Sequence, residues 1–366
     1  MSRFLTEHAA QLPSTVPFVG PETQERAQGF GFRARLGANE NGFGPSPKSL
    51  EAMTAAVGEV WKYADPENHD LKQALAAHHG IAAAHFAVGG GIDGLLGLIC
   101  RLVLSPGTPV VTSLGAYPTF NFHVAGFGGR LNAVPYRGDH EDPEALLDRA
   151  RREAAKVIYL ANPDNPMGTW HRAEVIEEMV AQLPETTLLV LDEAYCDLAP
   201  AGVVPRIDPN HPQVIRFRTF SKGYGMAGAR VGYAITNPDL ARAFDKVRNH
   251  FGMGKIAQVG ALAALQDQAY LTQMRLWIDA ARSRVERIAQ DNGLVAIPSA
   301  TNFVTVDCGR DGDYARAVLR GCLARGLFIR MPGVPGLDRC IRISLGDDRA
   351  MDLVAEILPE ALATAG

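Results

Sequence analysis

Between residues 109 and 235 the chain alternates between two hydrophobic periods. Short apolar runs at 109–113, 130–135, 156–161, 186–191, 214–220 and 231–235 are separated by stretches with helical spacing, such as 143–154 and 172–182. Runs this short, bounded by Pro, Gly, Asn and Asp, read as strands, the most apolar of them buried on both faces. Their alternation with helices leaves an α/β fold around a mostly parallel sheet. Further on the pattern changes. A long helical pattern at 255–290 is followed by short strands near 302–306, 327–331 and 340–345, interleaved with helices at 314–325 and 349–363. That is an α+β unit, and 366 residues with 47% apolar content suffice for one large and one smaller core. The expected division is an N-terminal arm, 1–45, contributing to the small domain, a large domain, 46–250, and a small domain, 251–366.

The ends of the strands carry the chemistry. After the run at 214–220 comes Lys222, set among Ser221, Gly223, Gly225, Ala227 and Gly228, with Arg230 eight residues on. Small neighbours let a flat ligand approach the backbone. Hydroxyls on Thr219 and Ser221, with an arginine, suit a phosphate. A lysine, a phosphate site and a flat ligand together point to pyridoxal phosphate held as a Schiff base on Lys222. The run at 186–191 ends in Asp192, a carboxylate that is costly at the end of a buried strand unless paired. A protonated pyridine nitrogen is a suitable partner, and so is solvent. The run at 156–161 ends in Asn162-Pro-Asp-Asn-Pro-Met-Gly168, a rigid turn that can hold the amide of Asn165 in one geometry.

Gly89, Gly91 and Gly94 spell a G-x-G-x-x-G dinucleotide signature, but no acid stands about 20 residues on, so a nicotinamide site is rejected. The backbone N–H groups of Gly91, Ile92 and Asp93, opening a helix, can still bind a phosphate. Tyr117 follows a strand and reads either as core or as a ring stacked on the ligand. Asn39 precedes a helix start at Ser46-Pro47 and reads also as a simple turn residue. Tyr63 lies in an aromatic-polar turn. Arg342 interrupts Ile341 and Ile343, and alternation turns it to the opposite face of its strand.

The stretch 219–230, together with Asn165, Asp192 and Tyr195 in that order, resembles the class II pyridoxal-phosphate-dependent aminotransferases of fold type I, over nearly the whole chain. The Asn39-Glu-Asn piece resembles the histidinol-phosphate aminotransferase branch. The resemblance implies a seven-stranded, mostly parallel sheet and a homodimer with shared active sites. It also implies roles. Lys222 is the Schiff-base lysine. Asp192 meets the ring nitrogen, and Asn165 and Tyr195 meet the ring oxygen. Thr219, Ser221, Arg230 and the Gly91–Asp93 turn hold the phosphate, with Tyr63 reaching it from the neighbouring subunit. Tyr117 stacks on the ring. Arg342 and Asn39 lie at the substrate carboxylate, and Arg330 meets a substrate phosphate. Met167 stands where the family usually has Thr. The implied reaction is transfer of the amino group of histidinol phosphate to 2-oxoglutarate. Aromatic amino acid transamination, decarboxylation of an amino-acid phosphate, and cofactor binding by a non-catalytic regulator are the alternatives.

A formal charge of −4 without a long basic run argues against nucleic acid or an anionic membrane as partner. The apolar stretch 94–104 contains Arg101 and is too short to span a bilayer, and the first residues lack a signal-peptide core. Five scattered cysteines without metal-ligand spacing read as reduced thiols of a cytoplasmic protein, and no metal site is expected.

Overall fold

The computed structural model describes residues 3–14 and 19–366. Its twelve strands, in chain order, are β1 (Ala34–Arg35), β2 (Phe86–Gly89), β3 (Pro109–Ser113), β4 (Arg130–Val134), β5 (Val157–Ala161), β6 (Leu188–Asp192), β7 (Val214–Thr219), β8 (Gly232–Ile235), β9 (Val295–Ala296), β10 (Phe303–Asp307), β11 (Leu327–Phe328) and β12 (Cys340–Ser344). Seven of them form one sheet in the order β2-β8-β7-β6-β5-β3-β4. All its pairings are parallel except those of β8, which runs antiparallel to β2 and β7. The central strands β5 and β6 are buried at every residue, as their continuous apolar runs require. Each parallel strand therefore delivers its C-terminal end to the same edge of the sheet, where α/β folds place ligands.

The helices between strands start and stop on local chemistry. Ser46 accepts from Ser49 N–H and caps the helix Pro47–Ala56, and Asp142 caps Pro143–Glu153 through Ala145 N–H. Gly80, with φ 67°, ends His69–His79.

A three-stranded antiparallel sheet, β12-β10-β9, forms the second core with the helices Gly312–Ala324 and Asp348–Ala365. The N-terminal segment reaches this core, since β1 pairs in parallel with β11 and Leu36 N–H donates to Phe328 O at 2.7 Å.

Within the N-terminal segment, helices form at Glu7–Gln11 and Pro21–Gln28. Two sequence expectations are corrected. The strand expected at 327–331 keeps ladder geometry only at Leu327–Phe328. The single long helix at 255–290 is two, Lys255–Gln266 and Gln268–Asp291, broken at Asp267. Aspartate is a poor interior helix residue, and the buried Asp267 carboxylate accepts from Lys48 Nζ at 3.1 Å, across on the helix Pro47–Ala56. Lys255–Gln266 packs on that helix and on His69–His79, and its Ala261, Ala264 and Leu265 join the cluster of Phe220 and Tyr233. The two cores meet along Gln268–Asp291, where Leu271 belongs to the first and Met274 to the second.

Candidate active site

At the C-terminal edge of the sheet lies a cavity of about 930 Å³, walled by both cores and by the N-terminal segment. The ends of β5, β6 and β7 bring Asn165, Asp192, Tyr195, Thr219, Ser221 and Lys222 into it. The turn after β2 adds Ile92 and Asp93, the segment after β3 adds Tyr117, and the second core adds Arg330 and Arg342.

Asp192 terminates β6 and is 5% exposed. Tyr159 O–H donates to its Oδ2 at 2.7 Å and Ala194 N–H to its Oδ1 at 2.9 Å. Burial pushes the carboxyl up to about 6. A buried acid at the foot of an open cavity is ready for a cationic partner. Tyr159, whose ring stacks on Phe120 with centroids 4.4 Å apart, is a site residue that the sequence reading missed.

Lys222 Nζ donates to Asn39 O at 2.8 Å and lies 5.6 Å from the Tyr195 ring centroid. Burial first, and then the charge of Arg342, bring its ammonium down to about 8, so more of the nucleophilic free amine is present near neutrality than for an exposed lysine. Asn39 adopts φ 55° and is held by several side chains. Its N–H donates to Ser344 Oγ at 3.0 Å, its Nδ2 donates to Tyr195 O–H at 3.1 Å, and its carbonyl accepts from Asn302 Nδ2 at 3.0 Å. Asn302 and Ser344 were not singled out from the sequence.

Beside Lys222 two hydroxyls, an arginine and a glycine turn come together. Thr219 Oγ1 donates to Ser221 Oγ at 2.9 Å, and Arg230 Nη1 reaches that oxygen at 3.4 Å. Gly91 opens the helix Gly91–Val103 at φ 79°. A Cβ there would lie 2.4 Å from Arg230 Nη2, so only glycine lets the guanidinium close on the turn. Asp93, on the same turn, pairs with His123 at 3.1 Å.

Arg342 donates from Nη1 to Asn165 Oδ1 at 2.5 Å and from Nη2 to Gly37 O at 3.2 Å, while its Nε has no partner among the described residues. Among the described residues no carboxylate forms an ion pair with it, and burial brings its guanidinium down to about 10. A cation that is desolvated without an anion suits the carboxylate of a ligand. Arg330 pairs with Arg342 through the backbone and donates from Nη2 to Val19 O at 2.9 Å.

Tyr63 is not among the residues brought together. It is 82% exposed and stands against Phe251, with ring centroids 4.7 Å apart. All five cysteines are free and buried. Among the described residues no helix is long and apolar enough to cross a membrane, and no group of His, Cys, Asp and Glu is arranged to hold a metal ion.

These groups fit pyridoxal phosphate. The cavity offers an amine, a buried acid, a glycine turn closed by an arginine, and an arginine without an ion pair among the described residues.

Comparison with known proteins agrees with that fit. The family model for aminotransferases of class I and II matches residues 34–358. Histidinol-phosphate aminotransferase 2 of Pseudomonas aeruginosa is 35% identical over 98% of this chain and 99% of its own length. Histidinol-phosphate aminotransferase 1 of Nitrosococcus oceani is 34% identical over 99% of this chain and 98% of its own. The crystal structure of histidinol-phosphate aminotransferase from Sinorhizobium meliloti in complex with pyridoxal-5'-phosphate is 56% identical, with a TM-score of 0.97, covering 100% of this chain and 99% of that one.

Proposed function

The chain belongs to the class I and II aminotransferases, and from that premise we propose that it moves the amino group of histidinol phosphate to 2-oxoglutarate, giving imidazole-acetol phosphate and glutamate, with pyridoxal phosphate as cofactor. The observation that carries the reading is that Lys222 and the buried Asp192 line one cavity whose wall also presents Arg342 and Arg330.

Bound there, pyridoxal phosphate supplies a ring that withdraws electrons from the carbon losing its proton. The chain does the rest. Lys222 Nζ, its ammonium brought down to about 8, removes the proton from the substrate Cα and returns it at a second position as an acid. Asp192 holds a proton at the ring nitrogen, and Tyr159 O–H keeps its carboxylate oriented. The amide of Asn165 and the hydroxyl of Tyr195 take the ring oxygen. Thr219, Ser221, Arg230 and the N–H groups of Gly91, Ile92 and Asp93 take the phosphate, and Tyr117 covers the ring. Arg342 binds the carboxylate of 2-oxoglutarate, with Asn39 beside it. Arg330 binds the phosphate of histidinol phosphate.

A second reading rests on the same wall. Leu114, Tyr117, Met331 and Val334 also line the cavity and would suit an aromatic side chain, which supports aromatic amino acids as alternative donors.

Glutamate formation that requires both histidinol phosphate and 2-oxoglutarate tests the main reading; none above a Lys222→Ala control would refute it.

We propose further that two chains pair through the exposed apolar residues Val57, Val60, Trp61, Tyr63 and Phe251, each more than half exposed in the single chain, so that Tyr63 reaches the partner's cavity. A monomer in sedimentation equilibrium would refute this. On the same footing we assign residues 1–45 to an arm of the small domain and place the protein in the cytoplasm, where five unpaired thiols stay reduced; cell fractionation tests the latter.

A further inference from the structure

Behind the turn that carries Asn165 lies a pair of carboxyl groups that no step above uses. Glu141, in the loop after β4, and Asp164, in the turn after β5, are each 2% exposed. Ser113 Oγ, at the end of β3, lies 2.5 Å from Glu141 Oε2, and Ala161 N–H, at the end of β5, donates to Oε1 at 3.0 Å. Asp164 accepts from Tyr136 O–H at 2.9 Å and from Met167 N–H at 3.0 Å. The two carboxyl side chains also lie within hydrogen-bonding reach of one another. Two ionised carboxylates have no proton to donate, so a hydrogen bond between them requires that one stay protonated.

We propose that Glu141 and Asp164 hold one proton between them and act as positioning residues, fastening the turn of Asn165 to the ends of β3 and β5 so that Asn165 and Arg342 face the ligand in fixed geometry. Asn165 Oδ1 is occupied by Arg342, which leaves its Nδ2 N–H groups to donate into the cavity. A rotation of the turn would disturb both residues at once.

Burial supports the shared proton. It holds Asp164 at about 6 and Glu141 well above the usual carboxylate range, with the Asp164 charge adding to the effect on Glu141. The groups facing the pair are Tyr136 after β4, Tyr159 on β5, His171, whose ring Nε2 lies 2.8 Å from Glu141 O, and Arg342 on β12. Burial keeps Tyr136 and Tyr159 protonated and His171 neutral, so Arg342, bonded to Asn165 beside Asp164, is the one cation among these residues. When the shared proton leaves at alkaline pH, two like charges stand in contact and the fastening opens.

The inference rests on the reading of the cavity as a pyridoxal-phosphate site. Its test is the affinity of apoprotein for pyridoxal phosphate, from pH 6 to 10, in the wild type, Glu141→Gln and Glu141→Ala. The Gln amide can donate to Asp164 and accept from Ala161 N–H but cannot ionise. Glu141→Ala is expected to bind roughly ten- to a hundred-fold more weakly, the loss of a hydrogen bond to a charged ring oxygen. Glu141→Gln is expected to match the wild type at pH 7 and to keep its affinity at alkaline pH better than the wild type does. Effects of the lysine and of the cofactor are common to both proteins, so their ratio reads the pair. Wild-type affinity in Glu141→Ala, or a Glu141→Gln profile that follows the wild type, overturns the inference. If Glu141→Ala does not fold, the Gln comparison decides. A wild type that does not bind pyridoxal phosphate overturns the functional reading and this inference with it, whereas wild-type binding with indistinguishable variants overturns the inference alone.

Discussion

Adding one methyl group at Gly91 separates the proposed phosphate cradle from the rest of the fold. In Gly91→Ala the new Cβ meets Arg230 Nη2 at 2.4 Å and Cζ at 2.9 Å, closer than real contacts allow. The atoms in the way are the far end of a flexible side chain, so Arg230 swings aside and the helix Gly91–Val103 stays. Retaining φ 79° costs an alanine about 1–2 kcal/mol. In a chain of 366 residues that lowers Tm by only a few degrees. Loss of the charged hydrogen bonds of Arg230 to a phosphate costs about 1.5–3 kcal/mol, or roughly a ten- to hundred-fold weaker Kd. Titration of apoprotein with pyridoxal phosphate, followed by visible absorbance, reads the affinity, and a melting curve reads the fold. Unchanged affinity in a folded variant would refute the assignment of Arg230 and the Gly91 turn to the phosphate. A Tm drop beyond about 10 °C would refute the claim that the clash is absorbed locally.

Three more expectations follow. Lys222→Ala loses the visible band of bound cofactor and all glutamate formation; turnover retained by the variant would remove Lys222 from its role. The Asp192 carboxyl, raised to about 6 in the ligand-free protein, favours the folded state when protonated. That contribution is full below pH ~4 and is lost as pH rises through 6, up to about 3 kcal/mol. Asp192→Asn should therefore flatten the stability of the apoprotein between pH 4 and 7 in urea titrations, and a slope equal to the wild type would contradict it. Glu193, which accepts from Arg216 at 2.7 Å and Arg218 at 2.8 Å while almost fully buried, bridges two largely buried guanidinium groups. Glu193→Ala should cost about 3–5 kcal/mol in chemical denaturation, and a loss under 1 kcal/mol would mean that the network is not needed.

How much of this was legible in the sequence depended on distance along the chain. The strands of the large sheet could be read because burial on both faces leaves continuous apolar runs, and Asp192 and Lys222 stood out as charges at their ends. Tyr159 was also within reach, since a tyrosine inside a buried strand needs a partner for its hydroxyl, and Asp192 supplies it. The anchors of Asn39 were not, because Asn302 and Ser344 lie 263 and 305 residues away and meet it only when the second core packs against the first. The break at Asp267 was hidden because an aspartate on a helix face preserves the period, while its partner Lys48 comes from a remote helix. For Tyr63 the obstacle is different. A residue proposed to act in a partner's cavity leaves no mark in one chain beyond its exposure.

The central claim is that the Lys222 cavity takes an amino group from histidinol phosphate. A rapid-mixing absorbance scan of the protein loaded with pyridoxal phosphate, against histidinol phosphate, phenylalanine, tyrosine and glutamate in separate single-turnover reactions, tests it most directly. Fast loss of the visible band with histidinol phosphate, at concentrations where the aromatic amino acids are slow, is the expected result. Faster conversion by phenylalanine or tyrosine, or none by histidinol phosphate, would contradict it and would remove Arg330 from the recognition of a substrate phosphate.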